Sequence, residues 1–219
     1  MPWLTPLLGF LLGSIPFGLL MGKLKGIDIR KHGSGNIGAT NVFRTLGKPC
    51  GITCLLLDFA KGLVPVLIAI RVVEPMMIEQ QSSAQSIIVL TAFAAIMGHN
   101  YSPWIGFKGG KGIATTAGAI AGLMPPVALG LLILIFIVVT KLTKYVSVGS
   151  ISTAIALPLL TIWGSWHHGK IADGTWNKPL FIFSLVAGLL AIWKHRANIA
   201  RLRAGTENRI GQKKQATSE

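Results

Sequence analysis

The chain has 219 residues, of which 51% are hydrophobic and only 13% charged, and its mean hydropathy is +0.60. A soluble domain of this length does not need so much apolar surface, so the composition excludes an ordinary globular protein and calls for a chain that spans a membrane. The net charge of +14, from 21 basic and seven acidic residues, does not imply nucleic acid as a partner, because the cations lie in short segments between apolar runs, where positive charge records topology and meets anionic headgroups.

The first apolar run, 3–20, has no basic leader and is interrupted by Gly13, Ser14 and Pro16, so it reads as a retained helix and not as a cleaved signal peptide. After it comes GSGNIGATNVFR, Gly33 to Arg44. Glycine lets backbone N–H groups curl around an anion, here at Gly35 and Gly38. The Ser34 hydroxyl, the Asn36 and Asn41 amides and the forked Arg44 guanidinium supply further donors, a set suited to phosphate.

The second run, 52–73, carries Asp58 and Lys61 three residues apart. Each is costly in lipid unless it pairs or faces a polar cavity, so both are predicted to be structural, either as an ion pair of the scaffold or as support behind the site. Cys50 and Cys54 form no metal-ligand spacing with any of the five histidines and read as reduced packing residues.

After the run 84–97, FKGGKG (Phe107 to Gly112) offers Lys108, Gly109, Gly110, Lys111 and Gly112 as a second anion-binding loop, at the start of a helix opening with Ile113. It is not a Walker A loop: the GxxxxGK[ST] spacing is missing, and no acidic magnesium ligands accompany it. Pro125 and Pro126 divide the run 113–123 from 126–140, and the turn YVSVGS with Ser147 and Ser150 follows. The last runs are 146–163 and 179–193, and then the tail KHRANIARLRAGTEN begins at Lys194. On a helix continuing the last run, His195, Asn198 and Arg201 share one face. His195 is the candidate proton acceptor there, and Glu207 a structural partner for nearby cations.

Seven runs put 17 of the 21 basic residues on one side. A single helix over 113–140 would give six spans and place the basic tail outside, against the positive-inside rule. The expectation is an all-α integral membrane protein with about seven transmembrane helices, an outside N-terminus and a cytoplasmic C-terminus. It forms one polytopic domain over 1–211, followed by a polar tail, 212–219, predicted to be disordered. Both glycine loops, the Ser147–Ser150 turn and the His195 tail then meet on the cytoplasmic face. His168 and Asp173 spell the H-x4-D pattern of another acyltransferase superfamily, but they fall on the opposite face, and the match is read as chance.

Two cationic loops on one membrane face suit two phosphate-bearing substrates. A secondary transporter of phosphate or a phosphorylated metabolite is the alternative, and it would call for midplane sites and an inverted repeat. A metal-dependent phosphotransferase would need several intramembrane acids, where only Asp58 is evident.

Three strings in this order, GSGN-x-GATN-xx-R, GHN…F-x-GGKG and H-R-x-N-I-x-R-L-x-x-G-T-E, strongly resemble the acyl-phosphate-dependent glycerol-3-phosphate acyltransferase (PlsY) family. The resemblance implies a bacterial inner-membrane enzyme with a cytoplasmic active site. Such an enzyme moves a fatty acyl group from acyl phosphate to sn-glycerol 3-phosphate, giving 1-acyl-glycerol 3-phosphate and inorganic phosphate, with neither metal nor cofactor. It also implies roles for Ser34 and Arg44, for Lys108 to Gly112 as the glycerol 3-phosphate motif, for His195, Asn198 and Glu207, and for Ser147 or Ser150. The sequence does not choose between the two serines, assign a phosphate to each loop, or decide whether His195 or the donor phosphate takes the hydroxyl proton.

Overall fold

The computed structural model describes residues 1–211, all of whose regular structure is helical; the expected tail, 212–219, lies outside the described residues. Ten α-helices occur among these residues: α1 Thr5–Gly13, α2 Phe17–Leu24, α3 Ala39–Leu46, α4 Lys48–Met76, α5 Gln81–Asn100, α6 Ile113–Leu123, α7 Pro126–Thr143, α8 Val146–His167, α9 Lys178–Lys194 and α10 Arg196–Arg203. Five continuous or nearly continuous helices are long and apolar enough to cross a bilayer, and α9 with α10 makes a sixth if that bent pair counts as one span. The predicted break at Pro125–Pro126 is present, since α6 ends before it and α7 starts at Pro126. At 11 residues, α6 rises only about 16 Å, roughly half of a hydrocarbon core.

The chain also breaks between α1 and α2. Pro16 has no N–H to give and holds Ile15 away from helical geometry, which frees carbonyls in mid-span. Each finds a donor: the Ser102 hydroxyl donates to Ser14 O at 2.6 Å, and Lys61 Nζ to Ile15 O at 2.7 Å. Non-helical backbone is tolerated inside a membrane only when satisfied in this way.

Small residues bring the helices together. A Cβ on Gly62 of α4 would lie 2.0 Å from the Thr115 carbonyl oxygen of α6, and one on Gly13 of α1 would lie 2.1 Å from that of Ala95 on α5. Neither position has room for a side chain, the usual signature of close helix packing in lipid. A large apolar core formed by α4, α5, α6 and α9, including Val66, Val73, Ile87, Ile96 and Phe183, fills one end of the bundle. A smaller one around Leu19, Ile29, Ile37, Val42 and Cys54 lies beneath the first glycine loop. The exposed Leu131, Ile133, Leu134, Ile137 and Val138 give α7 an apolar outer surface suited to lipid.

Candidate active site

At the other end of the bundle, residues from distant parts of the sequence surround one cavity of about 160 Å³. The loop 33–38 reaches it through a network centred on Asn41. The Asn41 amide donates to Ile29 O, His32 O and Asn36 O, and its Oδ1 accepts the Ser34 N–H at 2.8 Å. Asn41 borders the cavity, yet its amide is occupied in shaping the loop. Likewise Asn36 Oδ1 accepts the Gly38 N–H at 2.8 Å. Ser34 and Arg44 are exposed at the cavity wall, and the Arg44 guanidinium has no protein hydrogen-bond partner among the described residues.

The FKGGKG loop divides its groups between the end of α5 and the cavity. The Gly109 N–H donates to Asn100 O and the Gly110 N–H to His99 O, so both are used to bind the loop to the end of α5. Lys108 is exposed and lies outside the cavity lining, as do Gly35, Gly109 and Gly110. Lys111 and Gly112 do line it, followed by Ile113 and Ala114 at the start of α6. Gly112 caps that helix at φ +78°, a left-handed conformation that glycine adopts without strain.

The tail also departs from expectation. It does not extend α9 in a straight line: the chain bends by 52° between α9 and α10, with His195 at the junction. The bend directs His195, Asn198 and Arg201 toward the cavity. His195 Nδ1 lies 2.7 Å from Ala191 O, a carbonyl that only an N–H can satisfy, so Nδ1 carries the proton and Nε2 keeps a free lone pair. Burial and the neighbouring Lys111 push the His195 pKa down to about 4, so the imidazole is neutral at physiological pH.

Glu207 is the hub of this wall. Its carboxylate accepts from Ser147 Oγ at 3.0 Å, Asn198 Nδ2 at 2.6 Å and Arg201 Nε at 2.7 Å. Burial pushes its pKa up, but these three bonds outweigh that and hold it below the ordinary carboxylate value. The Asn198 amide is thereby oriented, and its Oδ1 accepts a short hydrogen bond from Lys111 Nζ. Both candidate serines are buried beside the cavity: Ser147 is tied to Glu207, while Ser150 donates to Val146 O at 3.0 Å. The segment carrying Glu207 is strapped over the α7–α8 turn by Ile210 N–H donating to Lys144 O at 2.9 Å and by Arg209 over the Tyr145 ring at 5.6 Å.

Burial, only partly opposed by Glu207, lowers the Lys111 pKa to about 8, and Arg201 and Arg44 act in the same direction. A lysine with a lowered pKa is charged below that value and loses its charge above it. Accordingly, kcat/KM, which reports the free enzyme, is expected to fall as pH rises through about 8. Lys111→Arg, whose guanidinium does not titrate in this range, should lack that limb, and a limb that persists in the variant would assign it elsewhere.

Asp58 and Lys61 pair as expected, at 2.8 Å and almost completely buried, but Asp58 also borders the cavity. Sequence reasoning quoted His99 within GHN but gave it no role; it lines the same floor. Its place between Gly98 and Asn100, at the end of an apolar run and ahead of the glycine loop, was the available signal. His168, by contrast, is exposed and makes no side-chain hydrogen bond among the described residues, and Asp173 accepts from Thr175.

A helical membrane protein with Arg44, Lys111 and a neutral histidine gathered in one cavity is built to act on an anionic substrate at the bilayer surface. Residues 3–205 match the sequence profile of glycerol-3-phosphate acyltransferase, and the chain belongs to that family. It is 45% identical over 202 residues to the glycerol-3-phosphate acyltransferase of Geobacter sulfurreducens, covering 92% of this chain and 93% of the relative. It is 46% identical over 206 residues to that of Desulforamulus reducens, covering 94% and 93%. Among solved structures it resembles PlsY, an integral membrane glycerol 3-phosphate acyltransferase, in its glycerol 3-phosphate form, with a TM-score of 0.82, 35% identity and 96% of each chain covered. The form of PlsY with lysophosphatidic acid gives a TM-score of 0.79 at the same identity, covering 96% of this chain and 95% of the other. The chain is therefore an acyltransferase of phospholipid synthesis, and the transporter alternative is set aside.

Proposed function

We propose that this enzyme uses acyl phosphate as donor and works on the cytoplasmic side of a bacterial inner membrane, with sn-glycerol 3-phosphate as acceptor. One observation carries the reading. The cavity has two cations, Arg44 and Lys111, that no carboxylate among the described residues pairs directly, while its wall also includes the apolar Leu55, Phe136 and Val146. Two phosphates and an acyl chain account for both kinds of lining. The exposed loops offer no fold to hold the nucleotide of a coenzyme A thioester.

In this reading the acceptor hydroxyl oxygen attacks the acyl carbonyl carbon, the carbon–oxygen bond to phosphate breaks, and phosphate departs with the electron pair. An acyl phosphate is already activated, so positioning and charge stabilisation suffice without a covalent enzyme intermediate. His195, with its pKa near 4, is a weaker base than a phosphate group, whose second pKa is about 6. The proton is therefore assigned to the departing phosphate, and the free Nε2 orients the hydroxyl by accepting its hydrogen bond. Ser34, Ser150 and Asn198 stand as further polar contacts.

The cytoplasmic assignment rests on the basic loops, with α6 and α7 forming a hairpin in which α6 is a short seventh crossing. The function is tested by giving purified protein labelled glycerol 3-phosphate with acyl phosphate, acyl-CoA or acyl carrier protein of matched chain length. Lysophosphatidic acid is expected from acyl phosphate alone, and comparable rates with acyl-CoA would overturn the donor assignment.

A further inference from the structure

Beneath the cavity lies a group of buried charges to which the reaction described above gives no task. Asp58 Oδ1 is 2.8 Å from Lys61 Nζ and 3.7 Å from His99 Nδ1, and Lys61 Nζ donates to Ile15 O at the break between α1 and α2. An ion pair taken out of water is weak evidence for stability, because desolvation offsets much of the attraction. Its placement is more informative. Asp58 and His99 are the two members that face the cavity. His99 also holds the second glycine loop: its carbonyl accepts the Gly110 N–H at 3.1 Å, and its ring fills the space beside Gly110, where a Cβ would fall 2.1 Å from Nε2. Lys111 is the next residue. His99 Nδ1 has no hydrogen-bond partner among the described residues, and the Asp58 carboxylate faces it at 3.7 Å.

We propose that Asp58 is a positioning residue for the acyl-transfer reaction: through His99 it sets the seat of the loop at Gly110, and so the reach of Lys111 toward substrate phosphate. Lys61 neutralises the carboxylate, so that the floor of an anion site does not repel its ligand. The inference rests on the acyl-transfer reading, and turnover of the wild-type enzyme with acyl phosphate in the same assay separates failure of that reading from failure of this one.

The test removes both charges together. Asp58→Asn/Lys61→Met leaves no uncompensated buried ion but removes the donor to Ile15 O, so its melting temperature is expected to fall, and its kinetics are read on protein that is folded at the assay temperature. Its kcat/KM is expected to fall about 10- to 100-fold, the scale of a misplaced contact of about 1 Å. In a Lys111→Met background the same double substitution should cost less than about threefold, because residues acting through one another are not additive. Wild-type kcat/KM in the double variant would overturn the proposal by making the pair purely structural, and losses that multiply with Lys111→Met would overturn it by showing another route. If the double variant does not fold, His99→Asn is read in the same cycle. A loss that disappears in the Lys111→Met background supports the proposal, and full activity or a multiplied loss overturns it.

Discussion

Replacing His195 with alanine is expected to lower kcat by about 10²- to 10³-fold, the range seen when one oriented polar contact is removed from a reacting centre. The fold should persist, because the side chain makes a single hydrogen bond, to Ala191 O in its own helix. The reason for the loss is geometric: Nδ1 is committed to that carbonyl, which leaves the Nε2 lone pair of a cavity-lining residue free for the hydroxyl. His168→Ala is the control. It carries the H-x4-D pattern but is exposed and remote from the cavity, and its rate should stay within about twofold of wild type, the ordinary scatter of a neutral surface substitution. Single-turnover kinetics with saturating acyl phosphate would compare the two variants. A loss below about tenfold for His195→Ala in folded protein would remove histidine from the chemical step and leave hydroxyl positioning to Ser34, Ser150 or Asn198.

Arg44→Ala is expected to cost about 10²-fold or more in kcat/KM, since a charge-assisted bond to phosphate contributes about twice a neutral one and Arg44 has no hydrogen-bond partner among the described residues to satisfy in its place. The sharper variant is Arg44→Lys. It keeps the charge and loses the planar fork, so a rate near that of alanine would show that two-point binding of phosphate oxygens matters, whereas near-complete rescue would show that charge alone does. Inhibition by inorganic phosphate, measured alongside, separates binding from chemistry: an arginine that clamps a ground-state phosphate weakens inhibition in step with kcat/KM. Unchanged inhibition together with a large kcat loss would place Arg44 on charge that develops during transfer.

Much of this site was legible because each element announces itself by composition. Glycine, amide and guanidinium recur at high density in residues 33–44, a double proline divides α6 from α7, and an acid and a lysine three apart inside an apolar helix had to find one another. What was not legible depends on how backbone groups are used. FKGGKG reads as a nest of free N–H groups, but the end of α5 takes two of them, and only Lys111 and Gly112 remain for the cavity. Helical periodicity put His195 and Asn198 on one face but gave no sign of the 52° bend that aims them. Asn41 borders the cavity while its amide bonds to loop carbonyls and accepts the Ser34 N–H, a use of the side chain that composition alone does not reveal. His99, quoted within GHN, was given no role because its contacts lie with Gly110 and Asp58, in other parts of the chain.

The strap over the α7–α8 turn bears on when in its life the enzyme becomes competent. Ser34 and Arg44 leave the ribosome early, whereas Glu207, which joins Ser147, Asn198 and Arg201, is among the last residues of the described chain to do so. At roughly 5–20 residues per second, a nascent chain carries its first anion loop for on the order of ten seconds or more before that carboxylate emerges. Through that interval Ser34 and Arg44 stand without the Glu207 network, and the Lys111–Asn198 contact can form only at its end, because Asn198 precedes Glu207 by 9 residues. The described site is thus completed only when Glu207 emerges, and the membrane holds most of the helical scaffold before it holds a working enzyme.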